Sequence, residues 1–174
     1  MEATLGGASG VTGLGRAQTG RLIALLLPLA LLAGAFGSQY LGGLYPCEMC
    51  WWQRYAHGAA VILAALAFTG PAASTRSRSL TLLAALAIAV SGAIGVYHAG
   101  VELKIFEGFT TCATTAKATS TEELLKKLMK VPLIRCDQVQ WSFLGISMAG
   151  WNAIISLSGV AAVAWLTLTA RRAR

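Results

Sequence analysis

Read for its apolar runs, the chain divides into four long, nearly uncharged stretches separated by short polar ones. The first, residues 22–41, carries no charged side chain over its whole length. As a helix it would cross about 30 Å of hydrocarbon. Pro28 inside it is tolerable where neighbouring helices re-satisfy the freed carbonyl. A second run, 51–69, ends at Gly70-Pro71, a pair that stops a helix. A third spans 80–101 and a fourth 143–170. The pattern predicts an all-α membrane protein, a four-transmembrane-helix bundle with outer loops at 42–50 and 102–142.

The flanks differ in kind. Residues 1–21 are rich in Gly, Ala, Ser and Thr without apolar periodicity and are expected to form a disordered cytoplasmic tail. Residues 171–174, Arg-Arg-Ala-Arg, form a basic tail. The alternative for the N-terminus is a cleaved signal peptide over 1–35, with Ala33-Gly34-Ala35 as the site; the apolar run continues past it to the length of a full span. Within loop 102–142, Ser120 or Thr121 can cap a short amphipathic helix. Glu122 and Glu123 fall in its first turn, Lys126, Lys127 and Lys130 in its last, and Leu124, Leu125, Leu128 and Met129 form an apolar side. That side suits the bilayer surface or a partner, or covers the tops of the spans. Small-residue pairs at helical spacing, Ala30/Gly34, Ser91/Gly95 and Ser158/Ala162, mark places for close helix approach.

Composition agrees with a membrane setting. Only 12% of the 174 residues are charged, against about 25% in soluble domains. The net charge of +7 comes from basic residues scattered at the ends of apolar runs, which speaks for lipid headgroups and against nucleic acid. Arg16, Arg21, Arg76, Arg78, Arg171, Arg172 and Arg174 share one side under a four-span topology. The positive-inside rule makes that side cytoplasmic. Loop 102–142 holds six basic residues of its own, but several pair with glutamates. The cysteines break the near tie, because paired thiols need an oxidising compartment.

Chemistry concentrates in Pro46-Cys47-Glu48-Met49-Cys50-Trp51-Trp52-Gln53-Arg54. Two residues between cysteines is the spacing of redox dithiols and of half a metal site. Cys112 and Cys136 lie 24 residues apart, unlike the second tight pair of a zinc loop, and Trp51 stands where haem attachment needs histidine. No residue is assigned to a metal. Structural stapling remains open, although a ring this small removes little chain entropy. A span starting near Cys50 would put its sulfur at a helix N-terminus, where the dipole favours thiolate, with Arg54 one turn on. Arg54 could meet a quinone carbonyl or snorkel to headgroups. Trp51, Trp52 and Tyr55 suit an aromatic belt. His98, near the outer end of the third span, is a polar candidate for the site or for the interface. His57 reads as a helix-to-helix hydrogen bond, and Met148 and Trp151 as packing.

These residues together resemble the bacterial disulfide bond formation protein B (DsbB) family. The likeness lies in Pro46-Cys47-x-x-Cys50-x-x-x-Arg54 after a first span, the wide Cys112/Cys136 pair, Gln39, and Tyr97-His98-x-Gly100-Val101-Glu102. It continues in Cys136-Asp137 followed by Trp141-x-Phe143-Leu144-Gly145-Ile146-Ser147-Met148-Ala149-Gly150-Trp151-Asn152. It covers about residues 22–170. The resemblance implies an inner-membrane protein-disulfide oxidoreductase with both cysteine pairs on the periplasmic side. In it, a Cys112–Cys136 disulfide oxidises a soluble DsbA-like partner, Cys112 forming the mixed disulfide. Cys136 exchanges with Cys47 of a Cys47–Cys50 disulfide, and the Cys50 thiolate passes two electrons to a quinone, ubiquinone first and menaquinone as the alternative. Arg54 and His98 would hold the quinone. Ala113 and the neighbouring threonines depart from the family pattern, which bears on partner preference. Ordinary structural disulfides lie below about −300 mV and DsbA near −120 mV, a gap of about 8 kcal/mol for two electrons. A simple staple therefore could not serve as the oxidant. Two other functions compete: a non-catalytic scaffold with structural disulfides, and a vitamin-K-epoxide-reductase-like enzyme, whose C-x-x-C would fall late in the bundle.

Overall fold

The computed structural model describes residues 5–108 and 134–172. Four helices carry the fold: α1 (Leu5–Tyr40), α2 (Glu48–Ala67), α3 (Thr75–Glu102) and α4 (Met148–Arg172). Three of these are long and apolar enough to cross a membrane, over Leu14–Tyr40, Thr75–Glu102 and Met148–Ala170. α2 carries Glu48, Gln53, Arg54 and His57 in its N-terminal half. Each helix packs on the next in sequence or closes the ring, α1 against α4. Large side chains such as Leu26, Ile62, Leu86 and Trp165 point outward, while the middle of the bundle is filled by Ala24, Ala64, Ala84, Ala85 and Val163. Bulk outside and small residues inside is the arrangement lipid permits, since helices gain packing rather than hydrophobic burial by associating there.

Small residues set the closest approach, though only partly where the sequence places them. Ser91 is fully buried, and a Cβ on Gly95 would meet the Ala149 carbonyl at 3.0 Å and Asn152 Nδ2 at 3.1 Å. This pair therefore joins α3 to α4. Ser158, in contrast, is exposed, and Gly34 has open space beside it. The α4 residues that meet neighbours are Ser156, against Gly92 of α3, and Gly159, against Leu27 of α1.

Two boundaries differ from the sequence reading. α1 begins at Leu5, inside the segment expected to be a disordered tail. Ala17 and Arg21 are buried there, and Gly20 lies against Thr167 of α4, so packing supplies the order that composition does not. The fourth apolar run does not start a helix at Phe143. Ser142–Phe143 (β1) pairs antiparallel with Ile146–Ser147 (β2). Leu144 and Gly145 turn between them with φ of 51° and 76°. Positive φ at both central residues is the turn that matches strand twist. α4 follows at Met148.

The end of the bundle opposite the cysteines is closed by Arg21. Its guanidinium donates to the Ala67 carbonyl at 3.0 Å, the Gly70 carbonyl at 2.9 Å and the Ser77 hydroxyl at 3.3 Å, and also to Gln18. It stacks on Phe68, 4.6 Å from the ring centre. A cation thus caps the carbonyl end of α2, where the helix dipole is negative.

Candidate functional site: a dithiol above a buried polar chain

At the other end, Cys47 is the N-cap of α2 and Cys50 stands in its first turn. The Cys50 amide donates to Cys47 Sγ at 3.3 Å, the bond a serine or aspartate oxygen usually accepts at this position. The helix starts at Glu48, slightly earlier than the sequence places it, with Cys47 as its cap, and Cys50 stands at the helix N-terminus as expected. The two sulfurs are 2.8 Å apart. Both precede Trp51, where the sequence reading begins the second span.

Cys136 comes to the same place from the far side of the long loop. It is buried in a cluster with Cys47, Met49 and Val101. The sulfurs of Cys47 and Cys136 and a ring nitrogen of His98 all lie within 4.8 Å of one another. The loop is held by Asp137, whose carboxylate accepts from Arg135 at 2.7 and 2.8 Å and from Lys104, just past α3, at 2.7 Å. These cations keep the Asp137 carboxyl well below the usual carboxylate range, Arg135 contributing first. Cys112 and the expected amphipathic helix at 120–130 lie outside the described residues.

The thiols share their protons unequally. Cys47 is pushed up, by its hydrogen bonds to Cys136 and Cys50 and then by burial. Cys50 is drawn down, first by the hydrogen bond from Cys47, against an opposing desolvation, with Arg54 also helping. A lowered thiol keeps its thiolate to lower pH. Iodoacetamide is therefore expected to alkylate Cys50 of the reduced protein with a pH midpoint below the ordinary value of about 8.5, and Cys47 only at higher pH. A Cys50 midpoint at or above the ordinary value would contradict this geometry.

Arg54 is 8% exposed and turned inward. It donates to the Ala35 carbonyl at 2.9 Å and to Gln39, and lies 4.8 Å over Phe36 and 5.0 Å over Trp51. It thereby ties the C-terminal end of α1 to α2. The aromatic Trp51 belongs to this stack as well as to the rim, with Tyr55 5.8 Å beyond it.

His98 is buried on α3. Its Nδ1 is 3.0 Å from Gln53 Nε2, and its Nε2 is 3.6 Å from Cys47 Sγ and 3.9 Å from Glu102 Oε1. Gln53 Oε1 accepts from Asn152 Nδ2 at 2.8 Å, and Asn152 Oδ1 lies 2.9 Å from His57 Nε2. A chain of polar side chains thus runs from the sulfurs into the bundle across α3, α2 and α4. His57 does make the helix-to-helix bond the sequence suggests. Gln53 and Asn152 had no assigned role; the signal available was a lone amide in an otherwise apolar helix, which must find a partner. Met148 and Trp151, read as packing, line the site. The Ser38 hydroxyl reaches Met148 Sδ at 3.9 Å, and Trp151 Nε1 donates to the Phe143 carbonyl at 3.1 Å.

Between the four helices these residues line a partly open cleft of about 420 Å³. Its polar lining includes Cys50, Arg54, His57, His98 and Asn152, and its apolar lining Ala30, Leu31 and Ala35. A mostly apolar cleft with a few convergent polar groups suits a planar organic ring. His57, one of the lining residues, has its Nδ1 buried with no hydrogen-bond partner among the described residues. The donor set of this lining, Arg54 foremost, suits the carbonyl oxygens of a ring, so the residues fit a quinone.

A helical membrane protein whose vicinal thiols adjoin both a third cysteine and a ring-sized cavity is of the thiol–disulfide oxidoreductase class. Residues 17–166 match the family model described as disulfide bond formation protein DsbB. The chain is 30% identical over 140 residues to disulfide bond formation protein B of Marinobacter nauticus, covering 76% of this chain and 80% of that one. It is 29% identical over 137 residues to the protein of the same name from Xanthomonas oryzae pv. oryzae, with coverages of 76% and 80%. The protein of that name from Shewanella sp. is 30% identical over 136 residues, 75% of each chain. No solved structure matches. The chain belongs to the DsbB family, membrane thiol oxidases that deliver electrons from protein thiols to quinone.

Proposed function

We propose that this protein sits in the bacterial inner membrane with four spans, both cysteine pairs facing the periplasm, and reoxidises a DsbA-like thioredoxin-fold partner at the expense of ubiquinone. The observation that carries this reading is the contiguity of three sulfurs, Cys136 beside Cys47 and Cys47 beside Cys50. A partner thiolate attacks Cys112 of the Cys112–Cys136 disulfide and releases Cys136 as thiolate. Cys136 attacks Cys47, breaking the Cys47–Cys50 bond and releasing Cys50 as thiolate. The partner's second thiolate displaces Cys112 from the mixed disulfide. Cys112 attacks Cys136 to restore their bond and free Cys47. Cys47 and Cys50 re-form their disulfide as Cys50, with Arg54 close by, gives up the electron pair to the quinone. Over the cycle the partner loses two electrons and two protons and becomes a disulfide; the quinone takes up both and leaves as hydroquinone.

The chain's own groups serve these steps by position. The Cys50 amide steadies Cys47 Sγ, and Arg54 favours negative charge at Cys50. His98 stands against Cys47, its Nε2 3.6 Å from Sγ, with its other nitrogen engaged by Gln53 at 3.0 Å. The test is direct. Purified protein, a reduced DsbA-like thioredoxin-fold protein and a decyl-chain ubiquinone analogue are mixed, and the quinone absorbance is followed. Loss of absorbance matched one-for-one by new partner disulfide is the expected result. No quinone loss above the protein-free rate would sink the reading and favour a scaffold with structural disulfides.

A further inference from the structure

The polar chain ends at His57, a residue the relay above does not use. His57 lies seven residues beyond Cys50 on α2, about 10 Å further along the helix. Its ring is 3% exposed and lines the same cavity as Cys50 and Arg54.

Its protonation follows from a neighbouring backbone group. Asn152 Nδ2 lies 3.3 Å from the Ser91 main-chain carbonyl. A carbonyl only accepts, so the amide nitrogen faces α3 and Asn152 Oδ1 faces His57. The Ser156 hydroxyl donates to that same oxygen at 3.3 Å. An oxygen there requires a donor from His57, which places the imidazole hydrogen on Nε2. Nδ1 is then a bare lone pair, buried, with no partner among the described residues. An unsatisfied buried acceptor is costly, and what it lacks is a donor.

The two redox forms of the proposed co-substrate differ in this respect. A quinone offers carbonyl acceptors only, whereas its hydroquinone offers hydroxyl donors. We propose that His57 Nδ1 accepts a hydrogen bond from a hydroquinone hydroxyl, making His57 a binding residue that discriminates the reduced form from the oxidised one. The inference rests on the quinone reading above. Its consequence is thermodynamic: a site that holds the product form more tightly makes the bound quinone a stronger oxidant of Cys50. The same backbone carbonyl sets the other end of the chain. With Asn152 oriented, Gln53 must present Oε1 to it and Nε2 to His98 Nδ1, which leaves the His98 hydrogen on Nε2, toward Cys47.

The experiment compares binding of decyl-ubiquinone and its hydroquinone to the oxidised, full-length protein under anaerobic conditions. In His57→Leu the ratio of hydroquinone to quinone affinity is expected to fall about tenfold, the scale of one buried hydrogen bond. His57→Gln, which keeps an acceptor oxygen, should retain most of the ratio. Asn152 keeps Ser156 as a donor in either variant. An unchanged ratio in His57→Leu, as when water alone fills the lone pair, overturns the proposal. Should the leucine variant not fold, ¹⁵N-histidine spectra of the wild type decide: the His57 Nδ1 resonance should shift with hydroquinone and not with quinone, and equal behaviour with both overturns it. Failure of wild type to bind either probe is a separate outcome, which removes the quinone reading itself and this inference with it.

Discussion

Cys50→Ser is expected to lower quinone reduction by ~10³-fold or more, the scale for removing the reacting nucleophile. The reason lies in the order of the sulfurs. Cys50 is the one closest to Arg54 in sequence and lines the cavity, and its thiol is the one drawn down. A serine hydroxyl stays protonated in the same place and cannot carry the electron pair. The fold should tolerate the change, because the bond that caps α2 uses the Cys50 main-chain amide and the Cys47 sulfur. The variant should still capture reduced partner in a mixed disulfide, seen as a higher band on non-reducing gels, while quinone absorbance stays flat. Full turnover in Cys50→Ser would end the assignment of this residue.

Arg21→Ala is the second large effect, on stability and not on chemistry. It removes a buried guanidinium that satisfies the Ala67 and Gly70 carbonyls at the end of α2 and reaches Ser77 of α3. Hydrogen bonds to a buried charge carry more than neutral ones, so a loss of about 2–4 kcal/mol is expected. For a chain of this size that is a fall in melting temperature of roughly 5–15 °C in detergent. Arg21→Lys should recover part of it, since an ammonium supplies the charge without the planar fork. Activity of the folded fraction should be unchanged, as Arg21 lies at the end of the bundle away from the sulfurs. A melting temperature within a degree of wild type would show that the contacts contribute little.

Arg21 also shows where the sequence was legible and where it was not. Hydropathy alone marks it as a charge at the end of an apolar run, and topology rules count it as a cytoplasmic anchor. Nothing local indicates that it reaches carbonyls 46 and 49 residues away. Arg54 is the same case: its spacing from Cys50 is plain, but its bond to Ala35 is long-range. The helical runs and the C-x-x-C were readable because both signals are local, one in periodicity and one in spacing. The convergence of Cys136 on Cys47, and the Gln53–Asn152 link between two histidines, depend on packing between helices. Two local signals were present and outweighed. Leu144-Gly145 is a turn pair inside an apolar run, and the glycines of residues 5–21 argue against the helix that packing on α4 supports.

The clamp on Asp137 has a consequence for how Cys136 can work. Its ion pairs with Arg135 and Lys104 are exposed, with Lys104 63% accessible. Such pairs are weak and yield to salt, whereas the carboxylate itself stays charged until strongly acid pH. The ion pairs at Asp137 therefore add little to what holds Cys136, which is its burial beside Cys47, Met49 and Val101, and they can break and re-form without any change of protonation. In the relay proposed above this sulfur meets one cysteine of its own loop and another at the mouth of α2 in the same cycle, and such a loop is better served by a mooring than by a weld.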